Sequence, residues 1–189
     1  MKVVAFNCSP HKDGNTSILL KKVGVEIEKA GINYEVIQVG GTNVRGCQGC
    51  GMCGVNQNRQ CAINDDMNGF IASAIEADGI IIGTPVYFSN ITAEAVALIN
   101  RVGYVTRSNG NLLGGKVGAP VIAVRRAGAN FAYAAINYLF GICEMIIPGS
   151  SYWNMGFGRD AGEVENDKEG MGTMECLGRN MASLLKKIN

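Results

Sequence analysis

Apolar residues along this chain follow two rhythms. Short unbroken runs, such as Val3-Val4-Ala5-Phe6 and Ile80-Ile81-Ile82, alternate with longer stretches where apolar positions return every third or fourth residue. The first rhythm predicts strands covered on both faces, and the second predicts amphipathic helices. Read in order, strands are expected over Lys2–Asn7, Asn33–Gln38, Gly79–Gly83, Lys116–Val124 and Met145–Ile147. Helices are expected over Ser17–Ala30, from a cap at Asp65 or Asp66 to Ala77, and over Thr92–Val105, Asn130–Gly141 and Gly170–Lys187. Gly31 supplies a stop for the first helix. Met174, Leu177, Met181, Leu184 and Leu185 give the last helix its apolar stripe. Strands alternating with helices imply an α/β fold: a doubly wound five-stranded parallel sheet with helices on both faces and right-handed crossovers.

No internal repeat or linker interrupts the pattern, so the 189 residues are expected to form a single domain over 1–189. Two stretches break the rhythm. Val39–Asp65 is Gly- and Cys-rich and too long for a plain connection, which marks it as functional. Gly156–Gly170 is polar and reads as a surface excursion.

The junction of the first strand and first helix carries the clearest chemistry. Ser9-Pro10-His11-Lys12-Asp13-Gly14-Asn15-Thr16-Ser17 is a polar loop leading into a helix N-terminus. Free amides and the helix dipole favour an anion there. Ser9, Asn15, Thr16 and Ser17 add neutral donors. The Gly-Lys-Ser/Thr of a triphosphate loop and the three glycines of a dinucleotide loop are both missing. A phosphate held this way suggests a mononucleotide. The bland alternative is a helix capped by Asn15 or Thr16 with no ligand. His11, the single histidine, either donates to the phosphate or lies exposed, and it rules out a multi-histidine metal site.

Ligands of such sheets bind at the carboxyl ends of the strands. Two further loops leave those ends: Thr84-Pro85-Val86-Tyr87-Phe88-Ser89-Asn90 and Arg125-Arg126-Ala127-Gly128. The first sets aromatics and backbone amides beside a rigid proline, which suits the faces and edge of a flat heteroaromatic ring.

Charge and composition narrow the partners. Net charge is +1, with no basic block, so neither nucleic acid nor an anionic membrane surface is expected. No apolar run approaches the ~20 residues of a membrane span. The N-terminus enters a strand at once, and no signal peptide is expected. Seven cysteines are an odd number, and four crowd into one stretch. That suits metal or redox chemistry in a reducing cytoplasm better than a disulfide framework.

Together these segments resemble the flavodoxin-like NAD(P)H-dependent FMN reductases. The resemblance rests on Ser9-Pro10 with Gly14-Asn15-Thr16, Thr84-Pro85-Val86-Tyr87, Asn100-Arg101, Gly115-Lys116 and Arg126-Ala127-Gly128, in the same order over nearly the whole chain. It implies FMN as cofactor and NAD(P)H as co-substrate. Ser9, His11, Gly14, Asn15, Thr16 and Ser17 would lie at the phosphate. Pro85, Val86, Tyr87, Phe88, Ser89 and Asn90 would lie along the ring, and Arg126, Ala127 and Gly128 at its pyrimidine edge. The last loop departs from the family's Gly-Gly ending. Arg101 reads as a structural residue.

Cys47, Cys50, Cys53 and Cys61 are spaced C-x2-C-x2-C-x7-C. Thiolates at such gaps can surround one centre, and the glycines between them permit tight turns. An iron–sulfur cluster, an all-cysteine zinc site and free thiols packing the loop all remain open on the residues alone. The spacing and its place after the second strand resemble iron-sulfur flavoproteins, a branch of the same superfamily. That resemblance implies a [4Fe-4S] cluster beside FMN. Cys8, Cys143 and Cys176 stand alone and read as small core residues.

The expected activity is therefore an FMN-dependent oxidoreductase. It would pass electrons from NAD(P)H, or from ferredoxin through a cluster, to a quinone, flavin or other small acceptor. The alternative is a flavin electron carrier or redox-sensing binding protein with little turnover. No catalytic acid or base is expected, because the cofactor carries the chemistry. A homo-oligomer, dimer or tetramer, is expected from the family and from the exposed aromatics of the ring loop.

Overall fold

A computed structural model describes all of residues 1–189. Five parallel strands form one sheet in the order β2-β1-β3-β4-β5. They are β1 (Lys2–Asn7), β2 (Asn33–Gln38), β3 (Gly79–Pro85), β4 (Val117–Val124) and β5 (Met155–Phe157). The helices are α1 (Asn15–Lys29), α2 (Met52–Asn56), α3 (Met67–Glu76), α4 (Ala93–Ser108), α5 (Ala129–Ile142) and α6 (Lys168–Ile188).

Side-chain alternation along the strands divides the core into two layers. Val4, Phe6, Ile80, Ile82, Ile122 and Val124 face α3, α4 and α5, where they meet Phe70, Leu98 and Ile136. Val3, Ala5, Ile81, Val117, Val121 and Ala123 face α1 and α6, where Leu20, Val23, Met174 and Leu177 cover them. The central strands are apolar on both faces because both faces are covered.

The order reverses between β1 and β3, so a crevice opens above their carboxyl ends. The loops after β1, β3 and β4 all emerge there. Gly128 has a left-handed φ of 86° and passes against Ser89, whose Cα would lie 2.7 Å from an added Cβ. This close approach seats the loop after β4 against the loop after β3.

The fifth strand differs from expectation. Met145–Ile147 supplies a single bridge, Ile146 to Val117, at the amino end of β4. Pro148 has no N–H to extend that pairing. The true β5 pairs Met155–Phe157 with Ile122–Val124. Tyr152 and Trp153 therefore precede the last strand rather than following it. They stack edge to face, with ring centroids 4.6 Å apart, immediately ahead of β5. Gly156–Gly170 is likewise no free excursion, since it holds part of β5, a single 3-10 turn (Glu163–Asn166) and the start of α6.

Candidate functional site

A cleft of about 640 Å³ lies over the carboxyl ends of the strands. Its floor is the loop after β1. Buried Asn7 donates from Nδ2 to Gln38 Oε1 at 2.8 Å and accepts the Ser9 amide at 3.2 Å. Gln38 in turn donates to the Ser9 carbonyl at 2.7 Å. Ser9 Oγ accepts the His11 amide at 3.1 Å. These bonds fix the loop before any ligand binds. Helix α1 then opens without a side-chain cap, its N-cap position being Gly14. The first amide bonded to this turn is that of Ile18, to the Gly14 carbonyl at 3.2 Å. The uncapped amides before it are available to an anion.

Asn15 neither caps the helix nor points freely into the cleft. Its Nδ2 donates to the Asp160 carbonyl at 3.0 Å. Its Oδ1 accepts the Gly162 amide at 2.9 Å and the Val164 amide at 3.4 Å. The carboxamide thus ties α1 to the segment after β5, and Gly158, Arg159, Asp160 and Ala161 become a wall of the cleft. This wall was missed because its polar, Gly-rich composition is also that of a surface loop. The Arg159 and Asp160 amides both donate to the Glu163 carboxylate, holding that carboxyl below its ordinary value.

The ring loop closes the other side. The Val86 amide donates to the Ala123 carbonyl at 3.0 Å, carrying the β3–β4 pairing one step further. Tyr87 and Asn90 exchange two backbone bonds of 2.9 Å. Between them Phe88 and Ser89 sit at φ of 48° and 60°. Two consecutive left-handed residues make a tight reversed turn that usually selects Asn-Gly. A phenylalanine there is strained, and its ring projects fully into solvent. Thr92 anchors the far end: its Oγ donates to the Cys8 carbonyl at 2.9 Å and accepts the Ala95 amide at 3.2 Å, capping α4.

The structure brings Ser9, His11, Gly14, Asn15, Thr16, Pro85, Val86 and Tyr87 to one cleft. Ser17 is buried in α1 below it. Phe88, Ser89 and Asn90 lie on the exposed turn beyond it. From the third loop, Arg125 lines the cleft, whereas Arg126 and Ala127 are exposed outside it and Gly128 packs on Ser89. Lys12, Arg125 and Arg159 add positive charge at the rim, against Asp13 and Asp160. The donors are therefore not all neutral.

The family model of the NADPH-dependent FMN reductases matches residues 1–160. The chain belongs to this family. An iron-sulfur flavoprotein of Methanocaldococcus jannaschii is 33% identical over 198 residues, spanning 100% of this chain and 99% of the relative. One from Methanosarcina thermophila is 30% identical over 194 residues, spanning 100% and 97%. These full-length matches place this FMN reductase family member on the iron-sulfur flavoprotein branch. Among solved structures, RosB with bound 8-demethyl-8-formylriboflavin-5'-phosphate superposes with a TM-score of 0.77 at 17% identity, covering 100% of this chain and 80% of RosB. A WrbA-like flavodoxin from Agrobacterium tumefaciens gives 0.68 at 14% identity, covering 100% and 98%. Both likenesses establish the flavodoxin-like fold.

A second cavity, of about 230 Å³, is lined by Cys47, Cys50, Cys53 and Cys61 with Arg101, Tyr104 and Ser108 of α4. All four thiols are free. Gly51, at a φ of 71°, turns the chain into α2, which carries Cys53. Asn68 clamps Cys61, accepting its amide at 2.8 Å and donating to its carbonyl at 3.1 Å. Asn109 donates to the Cys53 carbonyl at 3.2 Å. As placed, no three of the thiols form a group close enough to ligate one ion. The donor set nonetheless fits an iron–sulfur centre in kind: four soft thiols of one glycine-rich loop, on one cavity, beside a buried cation.

That cation is Arg101. Its side chain is wholly buried and pairs through two nitrogens with both oxygens of Asp65, at 2.6 and 2.8 Å. It also donates to the Arg45 carbonyl at 3.0 Å and the Ile63 carbonyl at 3.1 Å. Arg45 and Ile63 bracket the cysteine loop, so Arg101 clasps both its ends. Burial disfavours the Asp65 carboxylate, but the guanidinium and the Arg45 and Met67 amides outweigh burial and hold its pKa below the ordinary value. Burial likewise disfavours the Arg101 charge, and Asp65 and the neighbouring Cys61 sulfur outweigh it.

Proposed function

We propose that this family member is an FMN-dependent oxidoreductase that draws electrons from NAD(P)H, or from ferredoxin through a [4Fe-4S] cluster, and delivers them to a quinone, flavin or other small acceptor. The observation that carries this reading is the single cleft built by loops from β1, β3, β4 and β5 around the uncapped start of α1. RosB, of the same fold, holds a flavin 5'-phosphate derivative. The whole chain, 1–189, would act as one FMN-binding unit.

In this reading, Ser9, Thr16 and the first amides of α1 bind the phosphate, with Arg159 and Lys12 nearby to offset its charge. Pro85, Val86 and Tyr87 lie along the ring, and Arg125 faces its polar edge. FMN, when bound, supplies hydride acceptance and transfer of single electrons. The protein binds and orients. The Asn7–Gln38–Ser9 network keeps the phosphate loop from rearranging, and the Asn15 tie holds the wall. Cys47, Cys50, Cys53 and Cys61 would hold the cluster. The groove of about 370 Å³ between α4 and α5, flanked by exposed Tyr104 and Tyr138, would bury against a second copy in a dimer or tetramer. The reduced cysteines suit work in the cytoplasm.

Three measurements test the reading. FMN should bind at least tenfold tighter than riboflavin, and equal affinities would contradict the phosphate assignment. Steady-state NAD(P)H oxidation with quinone or ferric acceptors should turn over, whereas flavin binding without turnover would favour an electron carrier or redox sensor. Iron and acid-labile sulfide after anaerobic purification, against a Cys50→Ser variant, decide the cluster.

A further inference from the structure

The Arg101 guanidinium has five N–H groups in a fixed fork. Four are matched: two to Asp65, one to the Arg45 carbonyl and one to the Ile63 carbonyl. The fifth, Nε–H, is buried and has no partner. Orphaned buried N–H groups are rare in folded proteins and each calls for an explanation. This one belongs to a side chain that lines the cysteine cavity together with Cys61. Asn68 fixes the Cys61 backbone there, holding both its amide and its carbonyl. The arrangement leaves one buried donor without an acceptor on the wall of the cavity that Cys61 shares.

We propose that Arg101 is a positioning residue for Cys61, its Nε–H donating to that sulfur when Cys61 ligates a cluster and making the cluster easier to reduce. The inference rests on the cluster reading above. Hydrogen bonds to ligand sulfur stabilise the more negative, reduced form of such centres, and outer partners of this kind tune both potential and ligand orientation. Reduction adds one electron to the cluster, and Arg101 supplies a fixed dipole and charge against it. No proton moves. The Asp65 pair keeps the fork rigid, so the Nε–H stays aimed without reorganisation.

The test uses the anaerobically prepared, full-length protein with its flavin. Iron content and an EPR-monitored redox titration are compared between the parent protein and R101K. Lysine keeps a charge that can pair with Asp65 but removes Nε–H. The expected result is retained iron, with a one-electron reduction equilibrium about tenfold less favourable, or ~59 mV lower. Retained iron with an unchanged potential would overturn the proposal and leave the cluster reading standing. Should R101K lose iron, the parent protein labelled with nitrogen-15 arginine decides. A pulsed-EPR coupling between the label and the reduced cluster supports the proposal, and its absence overturns it. Failure of the parent protein to hold iron after reconstitution overturns both readings together.

Discussion

Replacing Asn15 by alanine separates the two jobs that one carboxamide can do at a helix start. As a phosphate ligand, Asn15 would matter only when flavin is bound. As a tie, it should matter to the wall of the cleft in the free protein as well. Its three bonds reach Asp160, Gly162 and Val164 at 3.0, 2.9 and 3.4 Å. A net bond contributes roughly 1 kcal/mol, with less for the longest and for the solvent-exposed donor, so Asn15→Ala should free the wall by about 1–2 kcal/mol. Affinity falls with the fraction of molecules whose wall is in place, so the FMN dissociation constant should rise, by at most roughly 5- to 30-fold where the closed wall is the minor state. Hydrogen exchange resolved to peptides should show residues 158–164 losing protection while the C-terminal half of α1 keeps it. Asn15→Asp sharpens the comparison. It keeps the acceptors, loses the donor to Asp160, and sets a negative charge at a helix N-terminus, where such a charge stabilises the helix by roughly 0.3–1 kcal/mol. It should leave the free protein at least as stable as Asn15→Ala while weakening FMN more than riboflavin. If 158–164 loosens in Asn15→Ala and flavin titration shows unchanged FMN affinity, the wall has no part in binding and the reasoning fails.

Other expectations follow from single contacts. Because the folded pKa of Asp65 lies below its unfolded value, the pair with Arg101 stabilises the fold above about pH 4 and that contribution is lost as pH falls through the folded value. Asp65→Asn should therefore be less stable than the parent at neutral pH and show a flatter loss on acidification in urea titrations. Parallel pH profiles for the two proteins would refute this. Gly158→Ala would set a Cβ 2.6 Å from the Val164 backbone nitrogen, which cannot move cheaply, so we expect roughly 1–3 kcal/mol of destabilisation by denaturant unfolding, together with weaker FMN binding. A fully stable variant would mean that the wall relaxes freely. Tyr138→Asp, on the exposed face of α5, should shift the protein toward monomer in light scattering; an unchanged mass would place the subunit contact elsewhere.

Much of the fold could be read from the chain because its signals are local. The bounds of β1 and β2 coincide with the apolar and alternating runs that mark them. Asn154 and β5 had no such signal. A three-residue strand carries too little pattern, and Asn154 owes its burial to a bond with the Pro120 carbonyl, 34 positions away. The same limit governs the site. Ser9, Thr16 and Tyr87 sit in segments whose chemistry is written in consecutive residues. Arg159 and Ala161 do not, since only the distant Asn15 turns their segment into a wall. The cysteine spacing is plain, but the clasp on its loop joins Asp65 to Arg101, which lie 36 positions apart, and nothing local pairs the cap candidate with the structural arginine.

The tie between Asn15 and residues 160–164 also orders events during synthesis. Its partners are separated by 145 to 149 positions, and α6, which packs beside α1 on the same face of the sheet, follows them in the chain. A nascent chain therefore exposes its first loop early but cannot finish the cleft until residues through Val164 have left the ribosome. In the FMN-binding reading, cofactor capture waits for the segment through Val164. A strain starved of flavin should accumulate full-length, folded apoprotein that can be loaded later, and chains halted before β5 should be unable to retain the cofactor.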